Sequence, residues 1–352
     1  MGFATTTIYT RPGVVPTPQQ FCDTANNVLK TFADAGMVPV SHTDFTGQFE
    51  SFVRTSTGNA KDKVVSSIST SNLKTRMILG YRVFRHPTKN YYIKVDCGYE
   101  ADNDSYPSTT ATRICINLTL GLGLDGVGGF SGTPINLIVK NNTYAYPQDY
   151  MMNGTYMKPL TLRVSMGANH FTCCASYDFY GMSEASNFSN LKTGMSTIAV
   201  AVIGSKDNPR HSVVFYPRTA EWSGSYFDEA PTSNLSENDC QLQRKYLIDH
   251  QTNTHTYLGA GQTVNTMPEV GLVSDTVGVR VAQPYITVNG VLLPLEMGCI
   301  HAGATTDMGL LTVDIDGSGA KQFYAPFGMG PCSWVPWNQP LMRIPVFLLP
   351  YY

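Results

Sequence analysis

Charge is what this sequence has least of. Asp, Glu, Lys and Arg make up only 14% of its 352 residues, against roughly 25% in an ordinary soluble domain. The 24 basic and 26 acidic residues leave a net charge of −2, and no basic block stands anywhere along the chain. A nucleic-acid binder carries a basic stripe that displaces counterions from phosphates, so no nucleic-acid partner is expected. No run of 18 apolar residues occurs, so no transmembrane helix and no membrane insertion are expected. The start, Met1-Gly2-Phe3-Ala4-Thr5-Thr6, has no basic n-region and no apolar h-region, and no secretory leader is expected. Gly2 with Thr6 fits only the loose myristoylation pattern. The eight cysteines (Cys22, Cys97, Cys115, Cys173, Cys174, Cys240, Cys299 and Cys332) include no CxxC pair, which excludes a zinc ribbon or a thioredoxin-like motif. They read as small buried hydrophobes in a chain that folds under reducing conditions.

Motifs that carry chemistry are also scarce, and each one fails on its context. Gly121-Leu122-Gly123-Leu124-Asp125-Gly126 fits GxGxxG, but Val127 to Pro134 is too rich in glycine to open the helix that a dinucleotide site needs. A glycine loop between strands is expected there. Asp314-Ile315-Asp316-Gly317-Ser318-Gly319 has its glycine too early for a calcium loop and lacks the later Glu, so it reads as a hairpin turn. Asp102-Asn103-Asp104 reads as a solvated loop. The seven histidines (His42, His86, His170, His211, His250, His255 and His301) form no HExxH or HxH pattern, with His250 and His255 sharing a Thr- and Asn-rich turn. His211-Ser212, and Cys173-Cys174 beside His170, place nucleophiles near bases without an elbow or a third group, and neighbours on a strand point to opposite faces. Glu221-Trp222 and Asp228-Glu229 bring acids and an aromatic together, as a polysaccharide hydrolase would need, at the level expected by chance. No catalytic, cofactor-binding or metal residue is therefore assigned, and no cofactor is expected.

What fills the sequence is Thr, Ser, Asn and Gly, with 20 Tyr and 42% apolar residues. That is enough for a sizeable core, and a surface poor in Lys, Glu and Asp but rich in Tyr suits one covered by other chains. One helix is predicted. Thr17 is the N-cap, Pro18 the first helical residue and Gln20 the capping-box partner. Phe21, Ala25, Val28, Leu29 and Phe32 follow on one face, with Gly36 as the stop and Pro39 beyond. Elsewhere short runs rich in Ile, Val, Tyr and Thr alternate with turn clusters. Asn289-Gly290 between Tyr285–Val288 and Val291–Leu293 is the strongest hairpin signal, and Asp316-Gly317 is a second. The fold class expected is mainly β (α+β): antiparallel β-sandwich or barrel modules with one N-terminal amphipathic helix packed on a sheet. Polar stretches at Thr55 to Thr75 and Glu221 to Asp239 divide it into 1–75 (helix plus strands), 76–220 (central β) and 240–352 (C-terminal β with an apolar arm).

That arm, from Phe327 to Tyr352, holds two of the three tryptophans. Phe327, Trp334, Trp337, Phe347, Leu348, Leu349, Tyr351 and Tyr352 are a candidate assembly interface, equally readable as a final strand of the chain's own sheet. Pro345 and Pro350 favour an edge strand or an extended arm in either case.

Two stretches carry a resemblance. Ile8-Tyr9-Thr10-Arg11-Pro12-Gly13 with Thr17-Pro18-Gln19-Gln20-Phe21, and Gly80-Tyr81-Arg82-Val83-Phe84-Arg85-His86-Pro87 running into Tyr92-Ile93-Lys94-Val95, look like virion proteins of tailed bacteriophages. The likeness covers about the first 130 residues and carries over no catalytic or binding residue. It implies a multi-copy structural protein of the phage particle, made in the host cytoplasm and placed in the tail or baseplate. Its partners would be copies of itself and other virion proteins. The alternatives are a receptor-binding fibre that recognises a host-surface glycan, with Tyr144, Tyr146, Tyr150 and Tyr156 as its candidate surface, a polysaccharide hydrolase, or a capsid or neck protein.

Overall fold

The computed structural model describes residues 2–8, 18–40, 77–100, 113–126, 129–139, 160–177, 198–216, 244–260, 265–266, 270–271, 280–301, 310–315, 317–324 and 345–352. In chain order these form β1 (Gly2–Ile8), α1 (Pro18–Asp34), β2 (Val38–Pro39), β3 (Met77–Arg85), β4 (Tyr92–Glu100), β5 (Arg113–Gly121) and β6 (Ile135–Val139). Next come β7 (Leu160–Met166), β8 (His170–Tyr177), β9 (Ile198–Gly204), β10 (His211–Tyr216), β11 (Arg244–Asp249) and β12 (Thr254–Ala260). The last are β13 (Asn265–Thr266), β14 (Val270–Gly271), β15 (Arg280–Ala282), β16 (Pro284–Val288), β17 (Val291–Pro294), β18 (Gly298–His301), β19 (Leu310–Val313), β20 (Lys321–Tyr324) and β21 (Pro345–Pro350).

The fold is mainly β, with antiparallel sheets and α1 packed against them. A seven-stranded sheet in the order β1-β7-β8-β9-β10-β11-β12 stands at the centre. Alternation along its strands buries both faces. Cys173, Val200, Val202, Val214 and Ile248 point into one core, shared with α1 and the five-stranded sheet β2-β3-β4-β5-β6. Cys174, Ala201, Ile203, Val213 and Phe215 point the other way, onto Ile286, Leu293, Leu295, Met297, Tyr324, Leu349 and Tyr351. Those residues belong to the three-stranded sheet β13-β16-β17, the six-stranded sheet β14-β15-β18-β21-β20-β19 and the segments beside them. The molecule is a three-layer β stack. A two-residue period on strands buried on both sides gives continuous apolar runs such as Ile198–Gly204, because each face meets a core.

The helix ends as its sequence predicts. Gly36 has φ 102°, its N–H donates to Ala33 O at 2.8 Å, and Met37 N–H donates to Phe32 O at 3.2 Å. This is the paired closure of a glycine-stopped helix. Val28, Leu29 and Phe32 are buried against the sheets; the side chains of Phe21 and Ala25 lie outside the described residues. Asn289 (φ 50°) and Gly290 (φ 80°) turn β16 into β17, with Val288 paired to Val291. The Gly121–Gly126 segment connects strand to strand, closing on a Leu124–Phe130 bridge before β6. The Asp314–Gly319 segment joins β19 to β20, where Gly319 N–H donates to the Asp314 carboxylate.

Two expectations need correction. β21 is not an edge strand: it pairs with β18 through Pro345–Leu348 and with β20 through Leu349–Pro350. Its prolines stand at its two ends, where a missing N–H disturbs the ladder least. His250 and His255 do not share one turn, because β12 starts at Thr254 and carries His255. The seven-stranded sheet takes β1 from stretch 1–75, β7 to β10 from 76–220, and β11 and β12 from 240–352. Both polar stretches read as boundaries, Thr55 to Thr75 and Glu221 to Asp239, lie outside the described residues.

Candidate functional site

Four histidines far apart in sequence meet at one end of the five-stranded and seven-stranded sheets. His86 opens the β3–β4 loop, and its ring is almost fully buried, 1% exposed. Its Nδ1 accepts the backbone N–H of Thr88 at 3.2 Å and of Lys89 at 3.0 Å. That assigns the proton to Nε2, which makes no hydrogen bond of good geometry, although the backbone of His170 and Gly167 is close enough to favour the protonated ring. Tyr91 packs beside it with its ring tilted by 39°, centroids 4.8 Å apart, its own hydroxyl buried and unpartnered.

His170 starts β8 and is equally buried. Its Nε2 lies 3.2 Å from Ser165 Oγ, and that hydroxyl donates to Tyr352 O at 3.2 Å. Ser165 has one proton, so His170 Nε2–H donates to Oγ and Nδ1 keeps a bare lone pair without a partner. The ring lies over Gly167, where a Cβ would sit 2.4 Å from its Cε1 and 2.7 Å from its Nδ1; only glycine fits. His250, after β11, shares a hydrogen bond with Ser212 at 2.8 Å through Nε2 and stacks 6.3 Å from Tyr91. The fourth, half-buried His211, leads β10.

Burial holds these imidazoles neutral. It pushes His86 down to about 4, helped by Lys89 and His250 and opposed by nearby backbone groups. It pushes His170 to about 3, with His86 and Lys321 adding to the effect. His250 is lowered to about 4 by burial first and Lys89 second, with Asp249 opposing, and His211 is lowered mainly by burial.

The arrangement is poorly suited to nucleophilic chemistry. Ser165 and Ser212 are buried, and neither His170 Nδ1 nor His250 Nδ1 has an orienting partner. Burial pushes the Cys174 thiol up to about 12 and Cys173 well above its ordinary value, so both stay protonated and unreactive. Among the described residues no group of three or more His, Cys, Asp or Glu is placed to hold a metal ion. The cleft lined by Glu296, Lys321, Phe323 and Tyr352 has room for about one water molecule. Among the described residues no helix is long and apolar enough to cross a membrane.

The sequence showed these histidines singly but not their meeting. Ser212 bonds His250 across the β10–β11 ladder, not its neighbour His211; the register that sets Ser212 opposite Ile248 brings them together.

The candidate assembly residues divide. Leu348, Leu349 and Tyr351 are buried inside the chain's own layers and do not form an open face. Tyr352 is half-buried, its hydroxyl donating to Glu296 at 2.6 Å. Phe347 pairs with Cys299 in the β18–β21 ladder. Phe327, Trp334 and Trp337, the tyrosines 144, 146, 150 and 156, and the pairs Glu221-Trp222 and Asp228-Glu229 lie outside the described residues, as does Asp102-Asn103-Asp104.

A different surface stands out at the two edges of the seven-stranded sheet. Among the described residues β1 pairs only with β7, and β12 only with β11. Each is seven residues long, and neither Gly2-Phe3-Ala4-Thr5-Thr6-Thr7-Ile8 nor Thr254-His255-Thr256-Tyr257-Leu258-Gly259-Ala260 contains Asp, Glu, Lys, Arg or Pro. Phe3 is 52% exposed, Tyr257 42% and Leu258 39%. Comparison with protein-family models, with curated proteins and with solved structures finds no match.

Proposed function

We propose that this chain is a structural subunit of a tailed-bacteriophage particle, built to assemble with copies of itself and with other virion proteins. The observation that supports this most is the pair of uncharged edges on the central sheet. Free-standing β proteins blunt such edges with lysine, proline or bulges, because an open row of N–H and C=O groups recruits further strands. Neither edge here carries lysine or proline, and β12 adds exposed Tyr257 and Leu258. β12 carries one bulge, at Leu258, which the pairing skips between Lys245↔Gly259 and Tyr246↔Tyr257; Thr254–Tyr257 keep regular register and offer the edge.

Geometry limits how copies join. All six pairings in the sheet are antiparallel, so in seven strands β1 and β12 run the same way. A two-fold axis normal to the sheet would set β12 against β12 of a second copy in antiparallel fashion, the stronger ladder. Head-to-tail continuation would join β12 to β1 in parallel. The two-fold arrangement through β12 is the one we assign. The low charge of the whole chain fits the same reading, since little desolvation opposes covering its surface.

Placement in the tail or baseplate rests on the resemblance of the N-terminal stretches. An antibody to the chain, imaged on purified particles by electron microscopy, tests it. Labelling at the tail or baseplate is expected. Labelling confined to the head would sink the tail placement, and particles that never label would sink the virion reading.

A further inference from the structure

The β3–β4 loop does more than connect two strands. Its residues reach three separate turns of the seven-stranded sheet: Thr88 Oγ1 donates to Ala168 O at 2.7 Å, Lys89 Nζ to Pro209 O at 3.0 Å, and Asn90 Nδ2 to Asn253 Oδ1 at 3.0 Å. Asn253 continues the stitching by donating to Leu122 O at 2.8 Å. This end of the sandwich is therefore closed by one loop, folded around His86 and seated on His170 and His250.

We propose that His86, His170 and His250 form an acid-sensitive latch, which holds the five-stranded and seven-stranded sheets together at this end while the imidazoles are neutral and frees the β3–β4 loop when they take up protons.

The groups facing the cluster explain why protonation cannot be accommodated in place. His86 Nδ1, the ring's proton-accepting atom, is already used by two backbone N–H groups; a proton there would set three donors against one another, with Thr88 Oγ1, 3.3 Å away and held by its bond to Ala168 O, as the one acceptor beside it. On His170 the proton would enter at Nδ1, pressed against Gly167. The ionised side chains acting on His86 and His170 are cations, Lys89 in the same loop and Lys321 on β20, while His250 feels Lys89 and, in the opposite sense, Asp249. Tyr352 O, beside His170, is taken by the Ser165 hydroxyl. The two side-chain carboxylates are already engaged. Asp249 takes both guanidinium contacts of Arg210, and Glu296 takes the Tyr352 hydroxyl and sits 3.6 Å from Lys321. Tyr91, buried with its hydroxyl raised well above its ordinary value, stays neutral and offers no countercharge.

The sign follows from linkage. Each folded value (about 4 for His86, 3 for His170 and 4 for His250) lies below the ordinary 6.5, so the open form binds more protons over that interval. The latch is fully closed above about pH 6.5 and weakens as pH falls towards those folded values. Each proton taken up shifts the opening equilibrium about tenfold per pH unit.

Hydrogen–deuterium exchange on the full chain tests this, comparing pH 7 with pH 5 after correction for intrinsic exchange. Peptides covering 85–92, 166–172 and 249–254 are expected to lose protection by tenfold or more, while the β9 centre, 199–203, keeps it. A His86→Gln/His170→Gln variant, which cannot take up these protons, is expected to lose most of that pH dependence. Wild-type protection that is unchanged at pH 5, or lost equally in β9, would overturn the latch. So would a variant that folds and retains the full wild-type pH dependence.

Discussion

Phe32 shows how much one side chain does in the first core. Fully buried on the last turns of α1, its ring stacks 5.7 Å from Phe84 of the five-stranded sheet and 6.1 Å from Phe171 of the central sheet. Three elements meet on it, and none can close over the space it would leave. Phe32→Ala should therefore cost about 3–5 kcal/mol, read as a lower urea midpoint. Phe32 was visible in the sequence because helix periodicity put it on the apolar face. The histidines were not, since a buried imidazole cluster has no local pattern: its members come from the β3–β4 loop, the start of β8 and the turn after β11. What unites them is strand order, which residue types do not encode.

Among the elements, those with strong local chemistry were legible. The start and stop of α1 were, because Pro18 and Gly36 are backbone signals; Gly36 at φ 102° closes the helix in a conformation that a Cβ opposes. Gly36→Ala should cost about 1 kcal/mol in chemical denaturation with the helix otherwise intact. The β16–β17 hairpin was legible from Asn289-Gly290 for the same reason. β1 and β12 were not expected as strands. Neither stretch has a run of Ile, Val or aromatic residues to mark it, and what makes them strands is pairing to β7 and β11. β21 misled in another way: its prolines argued for an edge, while neighbours on both sides drew it inside a sheet. A strand's place in a sheet is a tertiary fact, and β-propensity is weak enough to yield to it.

At the scale of the molecule, one sheet organises everything. Because both faces of the central sheet are buried, its remaining outlets for interaction are its ends and its edges. One end is closed by the β3–β4 loop. The edges are of matched length and without charge, and we propose that a further copy joins at β12. The sequence left the C-terminal arm open between that role and a final strand of the chain's own sheet. In the structure it is the second, with Leu348, Leu349 and Tyr351 in the chain's own core, and the β12 edge is better suited to assembly. Mainly-β architecture with one helix was readable from short strands and turn signals, whereas the three-layer arrangement, with a sheet shared among distant stretches, was not.

Assembly through the β12 edge is tested most directly by light-scattering mass of the full chain across a range of concentrations, beside a Tyr257→Lys/Leu258→Lys variant. Both side chains are partly exposed and Tyr257 rests on the Tyr246 ring, so the two substitutions together should cost the fold about 1–2 kcal/mol, checked by the urea midpoint, while placing charge on the edge. The parent should show a mass at least twice 38.5 kDa, and the variant should fall back towards the monomer. A parent that stays at 38.5 kDa at every concentration, or an assembly that the two lysines leave intact, would contradict it.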